Sequence, residues 1–432
     1  MKYLKKLIIF LLTLEAKAVL WRFRPKIIAV VGSVGKTSTK DAIYTALKDS
    51  VNVRKNEKSF NSDIGAPLTI LGLQNGWNSP LLWAKNLLLG LVQLCSLRYP
   101  SWLVLEVGAD MPHDVERLAK WIRPHIVVVT SLPDIPVHVE FFESPEALIK
   151  EDLSIIQYMR KGGMLIINAD EAKTAKVIEE YKVQTMTYGS VPSANVRFDS
   201  DSIVYDHVDG IPVPTGVSCK IAYNGNTVPL GLHGVLGITH IYPLVAALAV
   251  GLSMQIPFLT MTTALSTHQA PRGRMNIIGG KNGVTILDDT YNSSPVAVER
   301  ALETLVAIET PGNKIAVLGD MLDLGKYTES EHARIGTLVA THNITYLVAV
   351  GMHSKHTAEA ARKAGMQSER VMHVNTSDEA AEIVAPLLKA GDVMLVKGSQ
   401  GVRTERVVAA CMANPAWREK LLVRQELAWE KR

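Results

Sequence analysis

The segment IIAVVGSVGKTSTK, residues 27–40, constrains this chain more than any other. Apolar, largely β-branched residues lead into the turn Gly32-Ser33-Val34-Gly35, and Lys36, Thr37 and Ser38 open a run of helical character. A buried strand that ends in a glycine turn and continues as a helix aims backbone N–H groups and the helix N-terminus at one point, which suits a phosphate cluster. Lys36 is then placed to reach β- and γ-phosphates, and Thr37 to hold a magnesium ion. The usual spacing GxxxxGK[ST] asks for glycine at position 30, where this chain has Val30; its own spacing is GxxGKT, from Gly32 to Thr37.

Downstream, β-rich runs alternate with helical stretches: WLVLEV at 102–107, HIVVVTS at 125–131 and MLIIN at 164–168. That alternation predicts a mostly parallel sheet with helices on both faces. Residues 183–231, rich in Val, Tyr, Thr, Gly and Pro, predict a small antiparallel insert, and a helix is expected over 238–252. HQAPRGR at 268–274 reads as a linker. After it VTILDD (284–289), KIAVLGD (314–320), YLVAVG (346–351) and DVMLVKG (392–398) restart the alternation, in a Rossmann-like layout without GxGxxG in its first turn. The expected fold class is α/β, with an amphipathic helix over 1–25, a P-loop central domain with a parallel sheet over 26–270 and a Rossmann-like α/β domain over 271–432.

With 47% apolar and 20% charged residues the chain is no disordered polymer. Cys95, Cys219 and Cys411 show no CxxC spacing, which offers neither a zinc site nor a disulfide framework and suits a reducing cytoplasm. A net charge of +4, evenly spread, speaks against nucleic acid as a partner. Lysines precede an apolar run at the N-terminus, but unbroken apolarity lasts only from Leu7 to Leu12, no small-residue cleavage site follows, and Glu15 and Lys17 interrupt any span. Leu4, Leu7, Leu11, Leu14, Ala18 and Trp21 recur at helical spacing with Lys2, Lys6, Thr13 and Lys17 opposite. Such a helix either lies on a membrane surface or docks on its own domain. A second apolar stretch, Leu81 to Leu97, is expected to form a core helix that stops at Tyr99-Pro100.

Further motifs follow the phosphate loop in a fixed order: SFNSDIGAPLTIL at 59–71, LEVGADMPHDVERL at 105–118, HVEFFESPEALIKEDL at 138–153, PRGR at 271–274, DDTYNSSP at 288–295, LGDMLDLG at 318–325, EH at 331–332 and VKGSQG at 396–401. With GSVGKTST they resemble the Mur ligase family from Lys26 onward. The resemblance implies an ATP-dependent amide ligase that phosphorylates a substrate carboxylate and lets an amine attack the acyl phosphate. It implies ATP and two magnesium ions as cofactors, and wall-precursor and dipeptide substrates as small-molecule partners. Within the family, DDTYN, LGDMLDLG and VKGS look most like the members that add D-alanyl-D-alanine to a UDP-muramoyl tripeptide. Relatives begin with a uridine-nucleotide domain, whereas here only the amphipathic helix precedes the loop, which directs attention to peripheral membrane contact through residues 1–25.

The same resemblance distributes roles. Gly32 to Ser38 cradle the phosphates, with Lys36 catalytic; Thr37 and Glu106 match one magnesium site, and His138 the other. Arg274 matches the arginine that reaches the γ-phosphate, and Asp289, with Tyr291 and Asn292, the group that grips the nucleotide. His240 stands on the adenine side, although the asparagines of the family's HNxxNA are replaced by Ile241 and Leu244. Many relatives carry a carbamylated lysine fourteen residues after the metal histidine; here that position is Asp152, and Lys150 comes two residues too early. Asn61, Asp320, His332, Lys397 and Ser399 match substrate-side positions. Plainer readings stand beside these: Glu106 as a capping carboxylate, His138 as a surface histidine, Arg274 as a linker charge, Asp289 as the end of a strand. At the level of function, a Mur-type ligase for another amino acid or a folate-like polyglutamate, or a nucleotide-dependent module without ligation, remain the alternatives.

Overall fold

The computed structural model describes residues 2–56, 64–76, 79–199, 201–426 and 429, with side chains from Lys6 onward. The first sheet takes its strands from β1 (Lys26–Val31), β2 (Val53–Lys55), β3 (Trp102–Glu106), β4 (Ile126–Val129), β5 (Met164–Asn168), β6 (Gln184–Gly189), β7 (Val196–Phe198), β8 (Ser202–Val208), β9 (Ile211–Tyr223) and β10 (Asn226–His233). They line up as β10-β9-β7-β6-β5-β4-β1-β3-β2, with β8 paired to β9. The helices associated with this half are α1 (Lys2–Phe23), α2 (Lys36–Leu47), α3 (Gly65–Leu71), α4 (Pro80–Leu94), α5 (Asp114–Ile122), α6 (Pro145–Leu153), α7 (Thr174–Tyr181), α8 (Ile241–Ser253) and α9 (Phe258–Leu265).

β1 shows why its sequence is apolar at successive positions. Ile28 and Val30 point into a core shared with α2 and α8, while Ile27, Ala29 and Val31 point into a second core shared with α1, α3 and α5. A strand covered on both faces has no polar side to alternate with. Residues 183–231 differ from the expected insert: β6 and β7 extend the parallel order from β5, and β9, antiparallel to β7, β8 and β10, continues the same sheet. Short strands without helical crossovers look alike in sequence, whether they form a separate insert or the edge of a larger sheet.

Two helices correct the sequence reading. α1 docks on its own half of the molecule, but through Leu12, Ala16 and Val19, with Ile8, Leu20 and Phe23 partly buried beside them. The stripe expected to be its apolar face, Leu7, Leu14 and Trp21, is the outward one. α4 is no core helix: only Asn86 and Gly90 are buried, and most of its leucines face outward. Its composition fits a core, but what it packs on is α1 and α3 along one narrow side.

The second sheet comprises β11 (Asn276–Gly279), β12 (Thr285–Asp289), β13 (Lys314–Gly319), β14 (Tyr346–Val350), β15 (Val371–Val374) and β16 (Val393–Lys397), in the order β11-β12-β16-β13-β14-β15. Only β11 runs antiparallel to its neighbour. The parallel register sets Asp289 directly beside Lys397, so a carboxylate and an ammonium meet at the carboxyl ends of two buried strands. Residues 268–275, between the halves, form neither helix nor strand.

Candidate active site

The phosphate loop is shaped by two glycines with different constraints. Gly32 has φ 117°, and a Cβ there would lie 2.5 Å from the Thr130 hydroxyl, so both backbone angle and space require glycine. Gly35, at φ 88°, turns the chain into α2. Val30, where the longer motif has glycine, is an interior residue of β1; the strand runs on to Val31 and the loop is correspondingly shorter. The Ser33 N–H donates to the Ser131 carbonyl at 2.9 Å, tying the loop to the end of β4. Lys36 curls over the loop, its Nζ donating to the carbonyls of Gly32 at 2.6 Å and Ser33 at 3.3 Å.

From Thr37 the Oγ1 donates to Glu106 Oε1 at 3.0 Å, joining the first turn of α2 to the end of β3. Lys40, one turn further and fully buried, approaches Glu106 Oε2 at 3.7 Å and Asp41 at 3.6 Å. Sequence reasoning passed over Lys40, although its i+4 spacing from Lys36 puts it on the same helical side. His138 adopts φ 68°, with Nδ1 3.2 Å from Asp323 Oδ2 and Nε2 3.8 Å from Asp110 Oδ1. The His138 hydrogen bond holds the Asp323 carboxyl below its ordinary range. Because Asp323 follows β13 and His138 follows β4, this pair bridges the two halves; the Glu140 N–H to Asp323 carbonyl contact at 3.4 Å lies beside it.

Asp152, near the end of α6, is buried, and its Oδ1 has no hydrogen-bond partner among the described residues. Burial pushes its carboxyl up to about 6, against the pull of the nearby Lys36 charge. Lys150 is exposed on another side of α6. Arg274 lies at the junction: its guanidinium is 4.3 Å from the Tyr291 ring centre, its Nε is buried without a partner among the described residues, and its carbonyl accepts from His240 Nε2 at 2.8 Å. Burial pushes His240 down to about 4, so the imidazole is neutral at pH 7. Lys397 Nζ donates to Asp289 Oδ2 at 2.6 Å and to the Asn292 carbonyl at 2.9 Å; burial lowers its pKa, and the Asp289 charge opposes that.

These groups line two cavities that share Val34, Gly35, Arg274 and Ala297. The larger, of about 590 Å³, takes in the whole loop with Glu106, His138, Asp152, Tyr291, Asn292 and Ser399. The smaller, of about 240 Å³, takes in Ser38, His240, Asp289 and Lys397. Asn168, Asp170 and Tyr242 also line it and were not anticipated; Tyr242 donates to Asp170 at 2.7 Å. The signal was available in Asn168, a polar residue closing the run MLIIN at the same strand end as the other site residues. Ile241 and Leu244 are fully buried in the core, with Tyr242 between them turned to the cavity.

Two expected substrate residues line neither cavity. Asp320 Oδ1 accepts from the N–H groups of His353 (3.1 Å) and Ser354 (2.7 Å) and from the Ser354 hydroxyl (2.7 Å). His332 is buried between the Met321 N–H, which donates to its Nε2 at 3.0 Å, and the Thr328 carbonyl, 2.7 Å from its Nδ1. Both brace the loop after β13 that carries Asp323. Ser399 Oγ accepts from the Leu322 N–H at 2.9 Å in the same loop. Asn61 falls outside the described residues.

No three His, Cys, Asp or Glu side chains converge as a metal cage among the described residues. What the cleft offers is pairs: Thr37 with Glu106, and His138 near Asp152. Magnesium typically takes one or two carboxylates and completes its shell with waters and phosphate oxygens, so such pairs fit it better than a closed cage does.

Comparison with known proteins identifies both halves of the chain. Residues 30–251 match the Mur ligase middle domain, and residues 273–400 the Mur ligase glutamate ligase domain. The UDP-N-acetylmuramoyl-tripeptide--D-alanyl-D-alanine ligase of Bacillus subtilis is 28% identical over 401 residues, covering 93% of this chain and 79% of that protein. Its namesake from Mycobacterium leprae is 29% identical over 401 residues, covering 87% and 71%. Among solved structures, MurF from Acinetobacter baumannii superposes with a TM-score of 0.75 at 21% identity, over 92% of this chain and 79% of that one. MurF ligase from Thermotoga maritima in complex with ADP gives 0.73 at 23%, over 96% and 84%. The two domain matches fall on the two sheets that enclose the cleft, and the first alone spans more than half of the 432 residues: the chain belongs to the Mur ligase family.

Proposed function

We propose that this chain is an ATP-dependent, ADP-forming amide ligase that joins D-alanyl-D-alanine, or a similar short peptide, to a muramoyl-peptide wall precursor. The observation that carries this reading is the meeting of Lys36, Glu106, His138, Asp152 and Arg274 around one cavity at the ends of both sheets. The nucleotide occupies the smaller cavity and its phosphates reach past Gly35 into the larger one. The reading divides the chain into residues 1–25, 26–270 and 271–432, with Arg274 at the joint.

Phosphorylating a carboxylate brings an anion against a polyanion, so charge neutralisation is the dominant requirement. Lys36 is already beside the loop and swings from the Gly32 and Ser33 carbonyls onto the phosphates. Arg274, stacked on Tyr291 with Nε unsatisfied, supplies a second cation from the other side. Thr37 with Glu106, and His138 with Asp152, would hold two magnesium ions; the buried, partnerless Asp152 Oδ1 fits that role. When bound, the ions would withdraw negative charge from the transferring phosphoryl group. The substrate carboxylate oxygen bonds to the γ-phosphorus as the bond to ADP breaks; the neutral amine nitrogen then bonds to the acyl carbon, gives up a proton to solvent, and phosphate leaves. Asp152 takes the place of the carbamate expected in relatives, since a carboxylate presents the same pair of anionic oxygens.

The enzyme works in the cytoplasm, and residues 1–25 make peripheral contact with the membrane's inner face; the outward Leu7, Leu14 and Trp21 support that contact. The test is mass spectrometry of the products formed from wall precursors, D-alanyl-D-alanine and ATP, with ADP release followed in parallel. A new amide whose appearance requires both the carboxylate and the amine is expected. ATP hydrolysis indifferent to both would replace ligation with a nucleotide-driven switch.

A further inference from the structure

α1 and α4 lie side by side, and each leaves large apolar side chains facing outward. Trp21 is 77% exposed on α1, Leu81 is 83% exposed on α4, and Leu97, just beyond α4, is 98% exposed. Patches of this kind mark interaction surfaces rather than ordinary surface. The two segments that carry these side chains are charged almost entirely in one sign. Glu15 is the sole acidic residue in segments 1–26 and 80–101, against lysines and arginines at 2, 5, 6, 17, 22, 24, 26, 85 and 98. Glu15 is itself turned inward, where a Cβ on Gly90 of α4 would collide with its carboxylate.

Trp21 also borders a cavity of about 410 Å³, lined by Lys17, Arg24, Trp121, His125 and Arg160. It lies at the amino-terminal edge of the first sheet, since Arg24 precedes β1, His125 precedes β4 and Arg160 precedes β5. Lys17, Arg24 and Arg160 have no carboxylate partner among the described residues; Lys17 rests 5.7 Å from the Trp121 ring centre. His125 Nδ1 accepts from the Ile27 N–H at 3.2 Å, which leaves Nε2–H as a donor. Three unneutralised cations and a ring N–H around one concavity form a receptor for a phosphate-like anion.

We propose that α1 and α4 together seat on an anionic phospholipid bilayer and that a lipid headgroup phosphate enters the Lys17–Arg24–Arg160 cavity. This rests on the membrane contact proposed for residues 1–25 and adds to it a second helix and a headgroup site. Leucines and a tryptophan rimmed by lysine and arginine are the composition of an interfacial element, with tryptophan at headgroup depth. A second copy of the chain fits the patch poorly, because a two-fold contact sets the same basic rim against itself.

Co-sedimentation of the full chain with phosphatidylcholine vesicles, alone and mixed with phosphatidylglycerol, tests the proposal. Binding is expected with the anionic vesicles and not with phosphatidylcholine alone. Leu88→Glu with Leu91→Glu on α4, and separately Arg24→Gln with Arg160→Gln, are each expected to weaken it about tenfold or more while unfolding temperature and ADP release stay unchanged. If both double variants bind like wild type while Leu7→Glu with Leu14→Glu abolishes binding, the α4 and headgroup assignments fall and the contact through residues 1–25 stands. If wild type binds no vesicle, both fall. A concentration-dependent dimer in gel filtration, lost in the α4 variant, overturns the lipid assignment in favour of a second copy.

Discussion

The first sheet carries a cationic cavity at each end, and the two are built differently. At the carboxyl ends of the strands the loop Gly32–Gly35 supplies backbone N–H groups and Lys36 from one contiguous segment. At the amino ends the cations come from Lys17, Arg24 and Arg160, with His125 between, and no two of them share a motif. A site made from backbone needs glycines at fixed positions and is therefore written into a short string. A site made from side chains on separate elements has no such string, and only the folded chain brings its parts together.

The largest effect that tests this contrast is expected from Lys36→Ala. Loss of a charge aimed at the transferring phosphate should lower ligation by about 10²- to 10³-fold or more, with vesicle binding and unfolding temperature unchanged; ADP-release assays and calorimetry check both. A loss of vesicle binding in that variant would mean that the two ends are not separate. Arg274→Gln should lower turnover by about 10²-fold and leave ATP affinity nearly intact, the pattern of a contact made chiefly in the transition state. Turnover and nucleotide titration separate the two quantities, and an equal loss in both would place Arg274 in ground-state binding.

Asp152→Asn should cost about 10- to 100-fold in magnesium dependence, as for removal of an anionic metal partner. Wild-type activity should be insensitive to bicarbonate, because no lysine there awaits carbamylation. Stimulation by bicarbonate, or a carbamate found on Lys150, would remove Asp152 from that role. Since burial holds the free Asp152 carboxyl near 6, it is ionised above that pH, and magnesium affinity should fall as pH drops through it.

The smallest effect belongs to the far end. Burial pushes Glu15 up to about 7, from an ordinary value of 4.5. A raised pKa means that the neutral form fits the fold better, so this group's contribution is full below about 4.5 and is lost as pH rises through 7. Glu15→Gln should therefore stabilise the protein at pH 8 by on the order of 1 kcal/mol after allowing for solvent screening, and by almost nothing at pH 4. Melting curves at the two pH values check it. An equal shift at both would mean that Glu15 is not acting through its charge.

How much was legible in the sequence follows the same contrast. β1, β3, β4 and β5, and β12, β13, β14 and β16, were readable because strands buried on both faces must be apolar throughout. Lys36, Thr37, Glu106 and Asp152 were found through contiguous motifs, and the structure gathers them. Tyr242 and Asp170 were not, because their pairing across the cavity joins residues far apart in the chain. Asp320 and His332 sat in convincing motifs yet spend their polar atoms bracing a loop, which spacing alone does not reveal. α4 departs from its expected core position for a different reason: hydrophobicity alone does not say which sides of a helix its neighbours cover, and α4 packs on α1 and α3 along one side only.

The position of Cys95 at the end of α4 has a practical consequence. Cys219 and Cys411 are buried, and burial pushes their thiols up to about 12 and about 11, whereas Cys95 is exposed. The thiolate is the reactive form, so a maleimide dye should attach at one place, at the end of α4 beside the α1–α4 surface. The native chain thus carries its own reporter: an environment-sensitive fluorophore on Cys95 should shift to the blue when anionic vesicles are added and hold its colour when ATP is added.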